Sequence, residues 1–294
     1  MTTLDEYIKS DLLINGKLYD SEEVFSINDD MNMQVKEFLN QKVIVIDNFY
    51  NNPDLVREVV LSSTATRENN MGYPGYRTEF FVNQKTNIKK YNTIINSIYS
   101  EIDLPSATWI KFNLVKSPKT YPFDSRIGHN HCQPHFDKQT LCKTNMLQIQ
   151  FAGICYLNKN DEFSGKNGTG FYRHKPTGIS NVTEKTIREH GLYKELAKCC
   201  KENYGNHGSF ISELFYDWNY EKDHQCENWI NEGDDIWELI HFINMKYNRM
   251  IFYPSSYFHS AYFNDEDFIT NHRIVQPIFL KGKNYSDDSS FMIK

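Results

Sequence analysis

The sequence predicts a mainly β protein with flanking α helices, in which the strands form a sandwich or barrel. Aromatic residues make up 15% of the 294 residues, and aromatic side chains favour strands over helices. After residue 107 the chain consists largely of short apolar segments separated by turn residues. In the segment 108–116, Ile110, Phe112 and Leu114 alternate with a second set of side chains, which is the pattern of a two-faced strand.

Residues 1–106 are predicted to form an α/β support region rather than an independent domain. Its clearest unit is a buried Val- and Ile-rich strand at 42–49, followed by a helix that Asn52 can cap and Pro53 can begin. The other predicted elements are a strand and turn in NGKLYDSEEVF, a short helix in DMNMQVKEFLN, a strand within 73–81 and an amphipathic helix at 87–102.

Residues 107–283 are predicted to form the core, followed by a C-terminal tail at 284–294. The predicted core strands are 108–116, 146–158, 168–174, 243–254, 259–263 and 273–280. A helical and lid-like insertion is expected at 175–240. Within it, 183–205 is predicted to be helical, with Thr183 as the cap and Gly205 as the stop. The aromatic side chains assigned to the lid are Trp218, Tyr220, Trp229 and Trp237.

Charge and targeting signals exclude several functional classes. A net charge of -6 and a pI of about 5.9 argue against a constitutive nucleic-acid binder, because binding to phosphates needs a basic face. The N-terminus lacks the basic start and apolar run of a signal peptide, and no apolar stretch is long enough for a membrane span. The six cysteines form no CxxC pair. We therefore expect free thiols and a cytoplasmic location, without membrane association.

The chemistry is concentrated around His135 and Asp137. One residue separates them, so on a strand both side chains lie on the same face. His259 is the candidate third ligand, because it opens a predicted strand after a Pro-Ser-Ser turn. Two histidines and one carboxylate on one side of a metal form the facial triad of Fe(II) oxygenases, which leaves the other coordination positions open.

The order of these residues resembles a known superfamily. His-x-Asp, a long gap, His, and then Arg273 on the following strand is similar to the 2-oxoglutarate-dependent Fe(II) oxygenases, and most similar to their prolyl-hydroxylase-like branch. The segments YLNKNDEFSGKNGTGFYRHK and NRMIFYPSSYFHS resemble the strands that surround the second histidine ligand in that branch. VIVIDNFYNNPDLVREVV and YPGYR resemble the N-terminal part of uncharacterised members, so the resemblance covers roughly residues 42–280.

The resemblance implies a double-stranded β-helix core, also called a jelly-roll or cupin-like fold. It implies that His135, Asp137 and His259 are the catalytic iron ligands and that Arg273 binds the far carboxylate of 2-oxoglutarate. A guanidinium suits that role because it can form two charge-assisted hydrogen bonds to a carboxylate. Tyr156 is a candidate hydrogen-bond donor to 2-oxoglutarate.

The implied reaction is hydroxylation of an unactivated C–H bond, with release of succinate and CO2. The implied cofactors and cosubstrates are Fe(II), 2-oxoglutarate and O2, with ascorbate as a candidate reductant. The candidate substrates are a peptidyl side chain or a small amino-acid-like metabolite. A carboxylate at Asp137 favours hydroxylation over halogenation, because related halogenases carry a small residue there. Nucleic-acid demethylation is disfavoured by Phe279, which stands where such oxygenases usually carry a second arginine.

Other interpretations of the same residues remain open. A metal-dependent hydrolase or isomerase on a cupin-like barrel would use the same ligands, although it would not need a carboxylate clamp at Arg273. A non-catalytic virion-associated or binding module could retain the fold. His131 and Cys132, together with His135, could form a structural zinc site, although such sites usually use paired cysteines. Tyr156 is alternatively a core tyrosine.

Overall fold

Antiparallel β-strands form most of the regular structure in the computed structural model of this protein. The structure describes residues 11–66, 75–79, 85–99, 102–108, 111–117, 120, 134–137, 148–191 and 229–282. Within these ranges the strands are β1 (Asp11–Ile14), β2 (Lys17–Asp20), β3 (Asn32–Phe38), β4 (Gln41–Asp47), β5 (Ala65–Thr66), β6 (Tyr76–Thr78), β7 (Ser106–Thr108), β8 (Asn113–Val115), β9 (Gln148–Tyr156), β10 (Gly168–His174), β11 (Trp237–Asn244), β12 (Arg249–Pro254), β13 (His259–Tyr262) and β14 (Arg273–Gly282). The helices are α1 (Ser21–Val24), α2 (Pro53–Ser62), α3 (Lys85–Asn96) and α4 (Glu184–Glu189). The prediction of a mainly β chain with few helices is confirmed.

The larger sheet contains strands from both predicted regions. Its order is β3-β4-β12-β9-β14-β8-β6-β5, and β7 also pairs with β14. The long antiparallel pairing of β9 with β14 places Val275 opposite Tyr156. Side chains alternate along a strand, so Val275 faces one side of the sheet, whereas Ile274 and Ile278 face the other. The strands of residues 1–106 therefore extend the same sheet that carries the predicted core.

A smaller sheet faces the inner side of the larger one. Its order is β11-β10-β13, and both pairings are antiparallel. Phe171 of β10 lies between His241 and His259 in the register of this sheet. It packs in the cluster between the two sheets, together with Val43 and Tyr253 of the larger sheet. This layer contains the site described below.

The helices α2 and α3 cover the outer side of the larger sheet. Val56, Val59 and Ile95 are fully buried there, in the same cluster as Phe252 and Ile278. Burial of each such side chain contributes roughly 1.5–3 kcal/mol. The side chain of Asn52 accepts a hydrogen bond from the backbone N–H of Leu55 at 3.1 Å, which confirms the predicted cap. The helices thus cover the outer side of the sheet, and its inner side packs against the smaller sheet.

The helix predicted in DMNMQVKEFLN is wrong, because this segment forms strand β3. Strand β3 pairs with β4 along its whole length, from Asn32 opposite Asp47 to Phe38 opposite Gln41. The connecting residues Leu39 and Asn40 both have positive φ, as a tight hairpin turn requires. As an edge strand, β3 is exposed over most of its length, so it carries no clear apolar alternation in the sequence.

Two predictions after residue 175 also need correction. Of the helix predicted at 183–205, the described part forms α4, Glu184–Glu189, and Gly191 with a φ of 72° interrupts it, while residues 192–205 lie outside the described residues. Thr183 caps it as predicted, but Gly205, Trp218 and Tyr220 lie outside the described residues. The single strand predicted at 243–254 is two strands in different sheets, β11 and β12. Strand β11 begins inside the predicted insertion, and its first residue, Trp237, is fully buried.

The described residues bear on two expectations from the sequence, namely free thiols and the absence of a membrane span. Cys155 is a free, fully buried thiol, and burial raises its pKa well above the usual value. No helix in the described ranges is long and apolar enough to cross a lipid bilayer. The other five cysteines lie outside the described residues.

Replacing Phe252 with alanine should destabilise the protein by about 3–5 kcal/mol, because its fully buried ring packs between the larger sheet and the helices. Urea unfolding followed by circular dichroism measures this free energy. Leu61→Ala is the matched control: Leu61 is 51% exposed on α2, so its free energy of unfolding should change by less than about 0.5 kcal/mol. Equal effects of the two substitutions would contradict the assignment of α2 and α3 as the covering layer.

Candidate metal centre

A backbone bridge brings His135 and His259 together. The N–H of His135 donates to the carbonyl of His259 at 2.9 Å, and the N–H of His259 donates back at 2.8 Å. This reciprocal pair attaches segment 134–137 to the free side of β13 and so widens the smaller sheet. Directly paired residues share a face, and the two imidazole centroids are 4.6 Å apart. The predicted convergence of these two histidines is thus visible in the backbone register.

Asp137 lies in the same short segment, 134–137, as His135. Its N–H donates to the carbonyl of Ser255 at 2.8 Å, which anchors the segment to the turn after β12. Its carboxylate oxygen Oδ2 lies 3.2 Å from His259 Nε2. Burial acts to raise the pKa of the Asp137 carboxyl, but the imidazoles of His259 and His135 outweigh this effect and hold the pKa below its usual range. The carboxylate is therefore available in its charged, metal-binding form.

The orientation of His259 is set by its other ring nitrogen. Nδ1 lies 3.0 Å from the carbonyl oxygen of Tyr257, which can only accept a hydrogen bond. Nδ1 can therefore donate to this carbonyl, which leaves Nε2, on the side of Asp137, as the nitrogen that would bind a metal. Metal-bound histidines commonly have their second nitrogen fixed by a carbonyl in this way.

The three side chains fit a single divalent ion. One ligand atom from each lies within 4.8 Å of the others. Atoms bound to one ion at 2.0–2.2 Å are roughly 3–3.5 Å apart, and the 3.2 Å between His259 and Asp137 falls within this range. Among the described residues this is the one cluster of histidine, cysteine and acidic side chains with such spacing. His131 and Cys132, the partners in the alternative zinc site, lie outside the described residues.

The cluster opens into a cavity of about 280 Å³ between the two sheets. Along β14 the cavity is lined by the alternate residues Arg273, Val275, Pro277 and Phe279. These four residues lie on one face of the strand. The ligand histidines and Asp137 line the opposite wall. A small molecule in the cavity could therefore contact a metal at one side and a guanidinium at the other.

Arg273 is a buried cation, with 4% of its surface exposed. Its Nη2 donates to the carbonyl of Gly168 at 3.0 Å, and its guanidinium carbon lies 5.6 Å from the ring centroid of Tyr156 and 6.0 Å from that of Phe263. These contacts fix the direction of the guanidinium. A guanidinium can form two charge-assisted hydrogen bonds to a carboxylate, so its place on the cavity lining suits an anionic occupant.

Tyr156 lies behind the cavity wall rather than on it. Its hydroxyl group and the hydroxyl of Thr169 are 2.6 Å apart, and it is Thr169 that lines the cavity. Burial raises the pKa of Tyr156, although the charge of Arg273 opposes this effect. The structure places Tyr156 so that it orients Arg273 through its ring and Thr169 through its hydroxyl.

Asn113 and Tyr253 line the cavity but were not singled out from the sequence, whereas Trp229, which was assigned to the lid, also lines it. Asn113, Trp229 and Tyr253 each place a buried polar atom without a hydrogen-bond partner in the described part of the chain: Asn113 Oδ1, Trp229 Nε1 and the Tyr253 hydroxyl. Burial raises the pKa of Tyr253 well above its usual value, so its hydroxyl remains a donor. Arg77, from the YPGYR segment, also lines the cavity. Strand periodicity could have assigned a face to Asn113, but no local signal joins these residues to one cavity.

Comparison with known proteins identifies a family. The model of DUF6445, a family of unknown function, matches residues 29–273. The chain belongs to the DUF6445 family. No curated protein and no solved structure shows a significant match.

The DUF6445 match includes the three candidate metal ligands and Arg273. It begins before β3, spans His135, Asp137 and His259, and ends at Arg273. The hairpin of β1 and β2 lies before it, and most of β14 lies after it. The candidate metal centre is therefore a feature of the region that defines this family.

Replacing His135, Asp137 or His259 singly with alanine should weaken binding of Mn(II) by more than about 100-fold, since changes even to the outer partners of metal ligands alter affinity by about 10- to 100-fold. Anaerobic isothermal titration calorimetry measures this affinity. His241→Ala serves as the control, because His241 belongs to the smaller sheet but not to the described cavity lining. Unaltered Mn(II) affinity in any of the three ligand variants would remove that residue from the site.

Proposed function

We propose that the protein is an Fe(II)- and 2-oxoglutarate-dependent oxygenase that hydroxylates an unactivated C–H bond. The observation that carries this proposal is one cavity with the His135, Asp137 and His259 cluster on one wall and the buried Arg273 on the other. Two histidines and a carboxylate with open positions suit ferrous iron. The buried guanidinium suits the distal carboxylate of a dicarboxylic oxo acid.

The strand pairing supports a double-stranded β-helix core for this proposal. Among the described residues, eight segments follow one another from β8 to β14: β8, 134–137, β9, β10, β11, β12, β13 and β14. The first pairs with the eighth, the second with the seventh, the third with the sixth and the fourth with the fifth. All four pairings are antiparallel, so the chain forms one long hairpin that is rolled into two facing sheets. Such nesting is the topology expected of a jelly roll.

Each group of residues in the site would have a distinct role in this reaction. His135, Asp137 and His259 would hold Fe(II), which with 2-oxoglutarate and O2 supplies the oxidising chemistry. In the overall reaction one oxygen atom of O2 enters the hydroxyl group of the product and the other enters succinate, while the oxo acid loses CO2. Arg273 of β14 would orient the oxo acid, with Thr169 of β10 as a second donor from the facing sheet. The closed apolar wall of Val275, Pro277 and Phe279 would exclude water from the reacting groups.

Arg273 also separates this proposal from a hydrolase on the same ligands. A hydrolytic metal site needs a bound water and a general base, and its chemistry does not require a guanidinium on the cavity lining. The contacts of Arg273 with Gly168 and Tyr156 hold it in place before any ligand binds. Such preorganisation favours tight binding of a carboxylate in one orientation.

With Fe(II), 2-oxoglutarate and ascorbate, the protein should form succinate, and His135→Ala or Asp137→Ala should abolish this formation. Arg273→Ala should raise the KM for 2-oxoglutarate at least about 30-fold, since an unpaired buried charge costs 2 kcal/mol or more. Arg273→Lys should be intermediate, because an ammonium lacks the planar fork. Chromatographic detection of succinate measures each rate.

The matched control is Arg173→Ala. Arg173 lies on neighbouring β10 and forms an exposed ion pair with Glu238, so its loss should leave the KM for 2-oxoglutarate unchanged. Absence of the visible charge-transfer band of an Fe(II)-bound oxo acid in an anaerobic titration would reject the oxygenase proposal directly. It would leave a metal-dependent hydrolase or isomerase as the remaining interpretation of the triad.

A further inference from the structure

The fully buried side chain of Asn158 lies beside the backbone of Arg273. Its Oδ1 atom accepts a hydrogen bond from the N–H of Ile274 at 2.6 Å, and its Nδ2 atom donates to the carbonyl of His272 at 2.8 Å. These two peptide groups flank Arg273 in the chain. Asn158 therefore holds the segment from residue 272 to residue 274 with both polar atoms of one side chain.

This side chain continues the pairing of β14 beyond the end of β9. Successive residues of a strand direct their backbone groups to alternate sides. Arg273 pairs with β8, so His272 and Ile274 direct theirs towards β9. The N–H of Leu157, one residue after β9, still donates to the carbonyl of Ile274 at 3.0 Å. The amide of Asn158 then supplies the next donor and acceptor in place of a backbone peptide group.

A third hydrogen bond fixes the orientation of the Asn158 amide. Nδ2 also donates to Oε2 of Glu162 at 3.0 Å, so it has two oxygen acceptors, whereas Oδ1 has an N–H donor. The reverse orientation would place Oδ1 against two acceptor oxygens. Glu162 in turn forms an ion pair with Arg57 of α2, and Arg57 Nη1 donates to the carbonyl of Leu157 at 3.3 Å. A chain of polar contacts thus links helix α2 to the backbone at Arg273.

The place of the guanidinium in the cavity depends on this backbone. Nη2 of Arg273 donates to the carbonyl of Gly168 at 3.0 Å, and the guanidinium carbon lies 5.6 Å from the ring centroid of Tyr156. These contacts fix the end of the side chain, whereas Asn158 fixes the backbone from which it extends. Displacement of a substrate-positioning group by about 1 Å can reduce activity about 100-fold.

We infer that Asn158 is a positioning residue for Arg273, which it places through the peptide groups of residues 272 and 274. This inference rests on the proposed oxygenase function, in which Arg273 binds the oxo acid. Asn158 does not belong to the described cavity lining, so it acts through Arg273 and not through contact with a ligand. Loss of its amide should weaken binding of the oxo acid and leave the metal ligands on β13 and segment 134–137 in place.

Binding of N-oxalylglycine, an inert analogue of 2-oxoglutarate, to the Mn(II)-loaded protein tests this role. Asn158→Ala should weaken N-oxalylglycine binding about 10- to 100-fold in calorimetry, because two buried peptide groups lose their partner and the guanidinium is no longer held in place. The affinity for Mn(II) should remain that of the unaltered protein. Asn158→Asp, of the same size, keeps the acceptor for Ile274 but loses the donor to His272, so it should also weaken N-oxalylglycine binding.

Asn92→Ala is the matched control for the loss of a clamping amide. Asn92 lies on α3, where it accepts from the N–H of Leu104 at 2.9 Å and donates to the carbonyls of Leu104 and Ile88, each at 3.0 Å. It thus forms three hydrogen bonds to protein groups, as Asn158 does, but outside the described cavity lining. Asn92→Ala should lower the melting temperature and leave the affinity for N-oxalylglycine unchanged. Equal losses of this affinity in Asn92→Ala and Asn158→Ala would indicate general destabilisation and would overturn the inference.

Amide hydrogen exchange provides a readout that needs no ligand. In Asn158→Ala the N–H of Ile274 loses its acceptor, so exchange in a peptide that contains residues 272–276 should accelerate. Exchange in β13 should remain that of the unaltered protein. Unchanged protection of Ile274 would show that Asn158 does not hold this backbone, whatever the ligand of the cavity is.

The outcomes separate this inference from the proposed function. If N-oxalylglycine does not bind to the unaltered Mn(II)-loaded protein, the oxygenase proposal fails and the positioning role fails with it. If N-oxalylglycine binds equally well to the unaltered protein and to Asn158→Ala or Asn158→Asp, the positioning role fails and the oxygenase proposal stands. A parallel loss of Mn(II) affinity in these variants would show that Asn158 supports the whole site rather than Arg273, and it would also overturn the inference.

Discussion

The reciprocal hydrogen-bond pair between His135 and His259 is the constraint on which the candidate site depends. The two residues are more than a hundred positions apart in the chain, and no local preference brings them together. Once the backbone of segment 134–137 pairs with the start of β13, both imidazoles lie on one face. The face of the Asp137 side chain then follows from that of His135, because a residue two positions along a strand returns to the same face. The geometry of the metal centre is thus a consequence of sheet register.

Register in turn depends on the two-layer packing. A slip of one residue in β14 would turn Arg273 and Val275 outwards and would bring Ile274 into the cavity. The cluster of Ile274, Ile278 and Phe252 under the helices opposes such a slip, because these apolar side chains are fully or almost fully buried. The helices α2 and α3 therefore affect the site although they lie on the opposite side of the larger sheet. By covering the outer face of the sheet they determine which residues of β14 reach the inner one.

Burial gives the polar residues of the cavity their chemical character. Arg273 is almost fully enclosed, and its direction is set by Gly168 and the ring of Tyr156. Electrostatic interactions are stronger in such a medium than in water, so a carboxylate ligand gains more from this guanidinium than from a surface arginine. The same burial makes an unmatched polar atom unfavourable, and Asn113 and Trp229 each carry one on the cavity wall. The cavity should therefore bind most tightly those ligands whose polar groups form hydrogen bonds with these buried atoms.

The sequence by itself determined what neighbouring residues encode. The apolar run of β4, the Asn52 cap of α2 and the shared face of His135 and Asp137 all depend on contacts within a few residues, so they could be predicted. The edge strand β3 was predicted as a helix because its exposed faces carry no periodic signal, and β11 was missed because its pairing with β10 is not visible locally. Only the tertiary structure decided that Arg77, Asn113 and Tyr253 share a cavity with the triad. Their proximity arises from pairing between strands and packing between sheets, and these long-range contacts leave no spacing pattern in the chain.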